Sequence, residues 1–338
     1  MKTHEILFQT LSQADDYVNG EQLAKELGVS RTSIWKAIQR LEKEGVVIGS
    51  LKKKGYKLIS GDILLPEVIA NNTHLNVSLN EHCSSTQLDA KLGMEANHEG
   101  NTLYLANSQS AGKGRFGRSY YCPDQGGIYM SLHLKPQLPP AELPPYTLMV
   151  AAAICKAIKN LTLIDVSIKW VNDIYYREKK IGGILTEAIT SIETGLVTDV
   201  IIGVGFNMAI STFPEELKSK ASSLFEGPCP ITRNSLICEI WKEFFQTDVD
   251  ELVYLYKERS LVLGRTVTFE QNQQTYQGLA KDISDTGQLL VQLDKKKEIW
   301  LNSGEISLTK WWKQVKKRGW DKSPSLSIIF GLSSKTQW

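Results

Sequence analysis

Near the start of the chain, Ile6, Leu7 and Leu11 recur at helical spacing, which predicts an amphipathic helix over 4–14. Asn19-Gly20 is a turn signal. A short helix over 21–27 carries Leu23, Ala24 and Leu27, and Gly28 stops it. Ser30 caps a third helix with Ile34, Ile38 and Leu41 inward, and Gly45 ends it. Two apolar runs at 46–48 and 56–59 flank Lys52-Lys53-Lys54-Gly55 and read as a hairpin with a basic tip. After a linker at 61–66, strand patterns fall at 77–82, 103–106 and 127–134. Ser84-Ser85-Thr86 caps a helix reaching about residue 96, and an Ala/Met/Ile face predicts another over 144–159. Further strands are expected at 167–170, 173–177, 183–190 and 200–208, then a long helical region over 232–260. From 264 the pattern changes to short strands at 267–269, 276–283, 289–293, 299–301 and 306–308.

These elements divide the chain. The order helix, helix-turn-helix, basic hairpin over 1–60 is that of a winged helix-turn-helix. Its third helix would offer Ser30, Arg31, Thr32, Ser33 and Lys36 to a DNA groove, and Lys52, Lys53 and Lys54 would sit on phosphates. A small helical domain with a solvated lysine turn is the alternative. Residues 66–260 mix strands and helices and predict one mixed sheet, so the fold class is α+β. Residues 263–309 read as a small SH3-like β-barrel. The tail 310–338 holds Trp311, Trp312, Trp320 and Trp338 among many cations. It has no assigned role, and a disordered extension is expected.

Charge sharpens this division. The net charge of +2 conceals +3 on residues 1–60 and +6 on 310–338, which leaves −7 on the middle. Nucleic-acid contact is therefore expected at an end, where Lys and Arg can neutralise phosphates. The most apolar run, 146–155, is shorter than the ~20 residues a spanning helix needs. The first residues lack a secretory apolar region. A cytoplasmic protein with no membrane partner is expected. Five scattered cysteines at 83, 122, 155, 229 and 238, none in a Cys-x-x-Cys pair, predict reduced thiols and no protein cage for a metal.

The chemistry concentrates in the middle. Gly112-Lys113-Gly114-Arg115-Phe116-Gly117 alternates glycines with cations, and Arg118 follows. Glycine admits φ > 0, so backbone N–H groups in such a loop can close on a phosphate or carboxylate. Alone, the loop reads equally well as a surface turn. Its company changes the balance: Lys169-Trp170-Val171-Asn172-Asp173, then Lys180-Ile181-Gly182-Gly183.

Five motifs now stand in order. They are 84–87 (Ser-Ser-Thr-Gln), 109–118 (Gln-Ser-Ala-Gly-Lys-Gly-Arg-Phe-Gly-Arg), 169–173, 180–187 (Lys-Ile-Gly-Gly-Ile-Leu-Thr-Glu) and 203–208 (Gly-Val-Gly-Phe-Asn-Met), ahead of Ser303-Gly304-Glu305. Over residues 1 to about 309 the chain resembles the bifunctional biotin–protein ligases that also act as biotin-operon repressors. The resemblance implies a central domain of the class II synthetase-like kind. It implies joining of biotin to ATP as biotinyl-5′-AMP with release of pyrophosphate, then transfer to a lysine of a carboxylase biotin carrier domain. Mg2+ would accompany ATP. Two anions must meet in the first step, so cations must offset their repulsion. By resemblance Lys180 bridges the biotin carboxylate and the α-phosphate, Arg115 serves the phosphate side, and Asp173 orients Lys180 or the incoming lysine. Ser85, Thr86 and Gln109 resemble the binders of the biotin ring, with Lys113, Gly114, Trp170 and Gly183 around it. Arg118, Tyr120 and Asn207 would complete the adenylate side. The family also implies operator DNA and a homodimer promoted by the adenylate.

The chain departs from the family pattern at four positions. Lys113 stands where many relatives have arginine, which removes a bidentate fork. Val171 replaces a common proline and is expected to relax the turn. Tyr120 replaces a common tryptophan, and Thr309 stands where some relatives carry a nucleotide-contacting arginine, so no barrel residue is carried over as an ATP ligand. Three other readings remain open at this level: a lipoate–protein ligase relative, a stand-alone ligase without DNA regulation, and a sensor with an inactive ligase domain.

Overall fold

The computed structural model describes residues 1–308 apart from 99, 228, 272, 294–296, 303 and 305. Thr309, the tail 310–338 and two of the three residues 303–305 lie outside the described residues. The chain opens with α1 (Thr3–Ser12), α2 (Gly20–Glu26), α3 (Arg31–Lys43), β1 (Val47–Leu51) and β2 (Gly55–Ser60). Asn19 caps α2 and Ser30 caps α3 through side-chain oxygens that accept backbone N–H groups. Gly28 and Gly45 take φ of +66° and +86° where the helices stop. Leu7, Leu11, Leu23, Ile34 and Leu41 are at most 2% exposed and form the core of this unit.

The expected linker is not a solvated tether. Ile63, Leu64 and Leu65 are buried, and Ile63 and Leu65 join the core of the N-terminal unit. Three apolar residues in a row have no favourable place in water, so the segment packs between the two units. α4 (Pro66–Thr73), which the sequence reading did not separate, starts directly after it.

The central sheet follows: β3 (Asn76–Leu79), β4 (His82–Cys83), α5 (Thr86–Glu95), β5 (Thr102–Ala106), β6 (Ser108–Gln109), β7 (Gly127–Leu134), α6 (Tyr146–Thr162), β8 (Ser167–Lys169), β9 (Asp173–Tyr176), β10 (Lys179–Thr190) and β11 (Val197–Asn207). Seven strands run in the order β3-β5-β7-β11-β10-β9-β8, with β3 and β5 parallel and the other pairs antiparallel. β4 and β6 form a separate parallel pair. β7 does not alternate between core and solvent, as its sequence suggested. All eight of its residues are buried, because α5 packs beside it on one face while Ile128, Met130, Leu132 and Leu134 join the main core with α6. Helical structure over Pro140–Thr162 is apolar and long enough to span a membrane by composition. Its apolarity serves the core: α6 buries residues 148–155, Ala157 and Ile158.

α7 (Glu215–Lys218) is short, and the expected long helix is two, α8 (Arg233–Gln246) and α9 (Val249–Glu258). Thr247, extended at φ −89° and ψ 137°, separates them. The last unit is a five-stranded antiparallel sheet of β12 (Thr266–Gln271), β13 (Gln274–Ile283), β14 (Leu289–Gln292), β15 (Glu298–Leu301) and β16 (Ile306–Leu308), in the order β15-β14-β13-β12-β16. Its strands match the sequence expectation closely, and with the preceding units it makes the α+β architecture with an SH3-like barrel. All five cysteines are free.

Candidate functional site

The loop, the strands and the barrel meet around one cavity of about 310 Å3. The glycine-rich loop forms one wall. Its ends are pinned by backbone bonds from Gly114 N to Arg118 O (2.8 Å) and from Tyr120 N to Gly112 O (2.9 Å). A 3-10 turn at Arg115–Gly117 lies between, with Phe116 at φ +57° and 67% exposed. Gly112 has no room for a side chain: a Cβ there would lie 2.7 Å from Cys122 Sγ.

At one end of the cavity, Lys180 Nζ and Asp173 Oδ1 are 2.5 Å apart. The strand expected from residue 183 starts earlier, so Lys180 stands on β10, where the register shifts between Lys180 and Gly182. That irregularity brings Lys180 and Gly183 to the same side. Gly183 sits opposite Asp173, and a Cβ on it would be 3.2 Å from Lys180 Nζ. The glycine thus clears the space in which the ion pair forms. Arg115 Nη1 donates to Asn172 Oδ1 (3.3 Å), and Asn172 Nδ2 donates to Ile184 O (2.8 Å), so the loop cation is tethered to the strand side.

The opposite end is polar. Gln109 Oε1 accepts from the Thr86 backbone N–H (2.7 Å) and from Thr86 Oγ1 (3.1 Å), while Gln109 Nε2 donates to Cys122 Sγ (3.1 Å). Burial pushes the Cys122 thiol up to about 11, so it remains a neutral partner. Ser85 caps α5 by accepting from Gln87 N, so the cap and the cavity lining coincide. Ser131 is fully buried on β7 and lies 2.9 Å from Thr86 Oγ1.

Between the two ends stand Trp170 and Tyr120. Trp170 is 4% exposed, and its indole N–H donates to Gly287 O of the barrel (2.8 Å). The Trp170–Val171 peptide is cis. Tyr120 Oη donates to Asn207 Oδ1 (3.3 Å), and burial foremost, with Cys122 and Asp173 nearby, raises its phenol so that it stays protonated. Gly205 leaves room for this ring, since a Cβ there would be 2.6 Å from Tyr120 Cε1.

Every residue expected in the ligand site lines this cavity except one. Asn207 is 5% exposed, and its amide is engaged by Tyr120 and by Ser222 O (3.1 Å). It supports the Tyr120 ring that lines the cavity. Among the lining residues not expected as site residues are Gln87, Ser131, Lys169 and Asn172. Gln87, Lys169 and Asn172 lay inside quoted motifs, whereas Ser131, inside an apolar strand, gave no signal. The barrel contributes Gly304, Ile306 and Ser307, although no barrel residue was expected there.

The second candidate surface is on the N-terminal unit. Thr32, Lys36, Lys52, Lys53 and Lys54 are exposed. Ser30 and Ser33 are bonded to each other within the α3 cap, and Arg31 pairs with Glu21 at 3.0 Å. Trp35, 52% exposed on α3, was not anticipated.

Comparison with known proteins agrees with this layout. The biotin/lipoate A/B protein ligase family matches residues 81–207, an HTH domain 4–57, and a biotin protein ligase C-terminal domain 262–309. The bifunctional ligase/repressor BirA of Bacillus subtilis is 31% identical over 306 residues, covering 86% of this chain and 94% of the relative. The chain belongs to this bifunctional ligase/repressor family. BirA of Escherichia coli is 27% identical over 303 residues, covering 87% of the chain and 93% of the relative. The ligase also resembles the biotin protein ligase from Aquifex aeolicus solved with biotin and ATP. That match has a TM-score of 0.58 at 27% identity and covers 69% of this chain and 98% of that one. The barrel residues that line the ligase's cavity fall within the C-terminal family match.

Proposed function

We propose that this biotin ligase makes biotinyl-5′-AMP in the cavity between Lys180 and Thr86, and that the adenylate governs DNA binding by the N-terminal unit. The observation that carries the reading is the polarity of one cavity: a polar pocket at Thr86, Gln109 and Ser131, and a cationic end at Lys180 and Arg115. Biotin has the same polarity, with a ureido ring at one end and a carboxylate at the other.

With the ring held at Ser85, Thr86 and Gln109, the carboxylate reaches Lys180. A carboxylate oxygen attacks the α-phosphorus of ATP, the bond from that phosphorus to the bridging oxygen breaks, and pyrophosphate leaves. Lys180 offsets the charge of both reacting anions, and Arg115, with Arg118, holds the phosphate side. Lys113 and Gly114 line the loop side, and Trp170 and Gly183 line the slot. Mg2+ would offset further charge. Among the described residues no group of three or more His, Cys, Asp or Glu is placed to hold a metal ion. Among the described residues Asp173 is the carboxylate that lines the cavity, and this donor set suits an ion brought on the ATP phosphates.

In the second step the acceptor lysine of a biotin carrier domain attacks the acyl carbon and AMP departs. The amine must be neutral to attack, and Asp173, already holding Lys180, is the group to take its proton. The reaction is assigned to the cytoplasm without a membrane partner. Closure of the glycine-rich loop over the adenylate would also build a homodimer, and a dimer reads a two-fold operator. On DNA, Thr32, Lys36 and the lysine hairpin make the contacts, joined by Arg31 once it leaves Glu21.

ATP–pyrophosphate exchange measured with biotin, with lipoate and with neither tests the substrate. Exchange with biotin alone is expected, and exchange with lipoate would move the chain to the other branch of the family. Affinity for selected duplex DNA should rise when biotin and ATP are supplied together. Equal affinity without them would remove the switch.

A further inference from the structure

The polar end of the cavity is connected outward by a chain of hydrogen bonds. Gln87 Nε2 donates to Glu187 Oε2 (2.7 Å) and to Ile201 O (3.4 Å). Ser131 Oγ donates to Gln87 Oε1 (3.0 Å). Lys91 Nζ meets Glu187 from outside at 3.0 Å. Glu187 does not line the cavity, and its side chain is 37% exposed.

The direction of every proton in this chain follows from its outer end. A carboxylate and a backbone carbonyl can only accept. The Gln87 amide nitrogen must therefore face Glu187 and Ile201, which turns Oε1 inward. That oxygen takes the Ser131 hydroxyl proton, so Ser131 presents only lone pairs to its other neighbours. Thr86 has one hydroxyl proton and two acceptors within reach, Ser131 Oγ at 2.9 Å and Gln109 Oε1 at 3.1 Å. The Gln109 amide is fixed by the same logic, since the Thr86 backbone N–H can only donate to Oε1. The pocket end thus holds more acceptors than protons. Gly203 protects the arrangement: a Cβ there would lie 2.5 Å from Gln87 Oε1.

We propose that Glu187 and Gln87 are positioning residues that set the donor/acceptor pattern of the pocket end, so that it selects a ligand head carrying N–H donors. This rests on the biotin-ligase reading of the same cavity. A ureido ring supplies two N–H groups to oxygens that otherwise lack protons. A dithiolane head supplies none, and leaves buried acceptors unsatisfied. Glu187→Gln removes the shorter of the two constraints, because a glutamine can present its nitrogen to Gln87 and let that amide turn, with only the 3.4 Å bond to Ile201 O left to hold it. Ser131 then loses its acceptor and can point its proton into the pocket. Lys91→Met leaves the carboxylate, and with it the direction of the chain.

The test is the biotin KM and kcat of the intact chain in ATP–pyrophosphate exchange. Glu187→Gln should raise KM ten-fold or more with kcat within two-fold of wild type, and Lys91→Met should change neither by more than two-fold. Gln87→Met, which removes the amide at similar volume, should reproduce the KM rise and stands in if Glu187→Gln does not fold. The proposal is overturned if the folded variant or its stand-in keeps KM within two-fold. It is overturned equally if Lys91→Met raises KM as far, because simple loss of the ion pair would then explain the effect. Absence of biotin-dependent exchange in the wild type would bring down the biotin-ligase reading and this proposal together. Normal wild-type exchange with an unaffected Glu187→Gln brings down this proposal alone.

Discussion

Replacing Arg233 should unfasten the joint between the N-terminal unit and the ligase domain. Its side chain is 6% exposed and that of its partner Asp62 13%. Nε donates to Asp62 Oδ1 (2.5 Å), Nη2 to Asp62 O (3.2 Å), and Nη1 to both Asn107 Oδ1 and Gly127 O (3.3 Å each). The Arg233 backbone N–H donates to Asp62 Oδ2 (2.6 Å). Arg233→Met removes every side-chain donor and leaves the Asp62 carboxylate buried with that backbone N–H as its donor. Breaking a buried pair from one side in this way costs ~3–5 kcal/mol. Asp62→Leu combined with Arg233→Met removes the stranded charge and leaves unpaired acceptors and one backbone donor, a loss of ~1–3 kcal/mol. The double variant should therefore be more stable than Arg233→Met alone. Urea unfolding followed by far-UV circular dichroism measures this, with an unchanged slope required for the comparison. An Arg233→Met midpoint equivalent to less than ~1 kcal/mol, or a double variant less stable than the single, would refute the reasoning.

Three further outcomes are expected. Asp173→Asn should slow biotinyl transfer from preformed biotinyl-AMP to a carrier domain, and an unchanged transfer rate would remove its role as proton acceptor. Arg115→Gly should speed loss of the adenylate more than it slows its formation, through a charged contact of ~1.5–3 kcal/mol; an unaltered off-rate in a filter-binding chase would sink this. Burial holds the Cys83 and Cys122 thiols near 12 and 11, far above pH 8, so they are protonated there and iodoacetamide should label them slowly until urea unfolds the chain. Rapid labelling of either in the folded protein, read by peptide mass spectrometry, would contradict their burial.

The elements with strong local signals were legible without a structure. Ser30 and Ser85 cap helices where the sequence places them, because an N-cap needs only a side-chain oxygen and the next few residues. The short barrel strands were legible for a similar reason, since turns such as Asp285-Thr286-Gly287 separate them. The segment at 61–66 was misread because composition cannot say whether Ile63, Leu64 and Leu65 meet solvent or another unit. Asn207 is a related case: a polar residue after a buried strand has the same local pattern whether it faces a ligand or a neighbouring tyrosine, and its bond to Tyr120 Oη is visible only in the structure.

By itself the sequence determined which residues carry charge, which turns need glycine, and which motifs follow one another. It therefore determined the division into three units and many of the polar groups that line the cavity, Lys180, Arg115, Asp173, Thr86 and Gln109 among them. Only the tertiary structure decided that the register shift on β10 sets Lys180 against Asp173, that Gln87 and Glu187 back the polar pocket, and that the barrel walls it. These contacts join residues far apart in the chain. Hydrogen-bond direction and close packing act through distance and orientation, and neither is recorded in the order of residues.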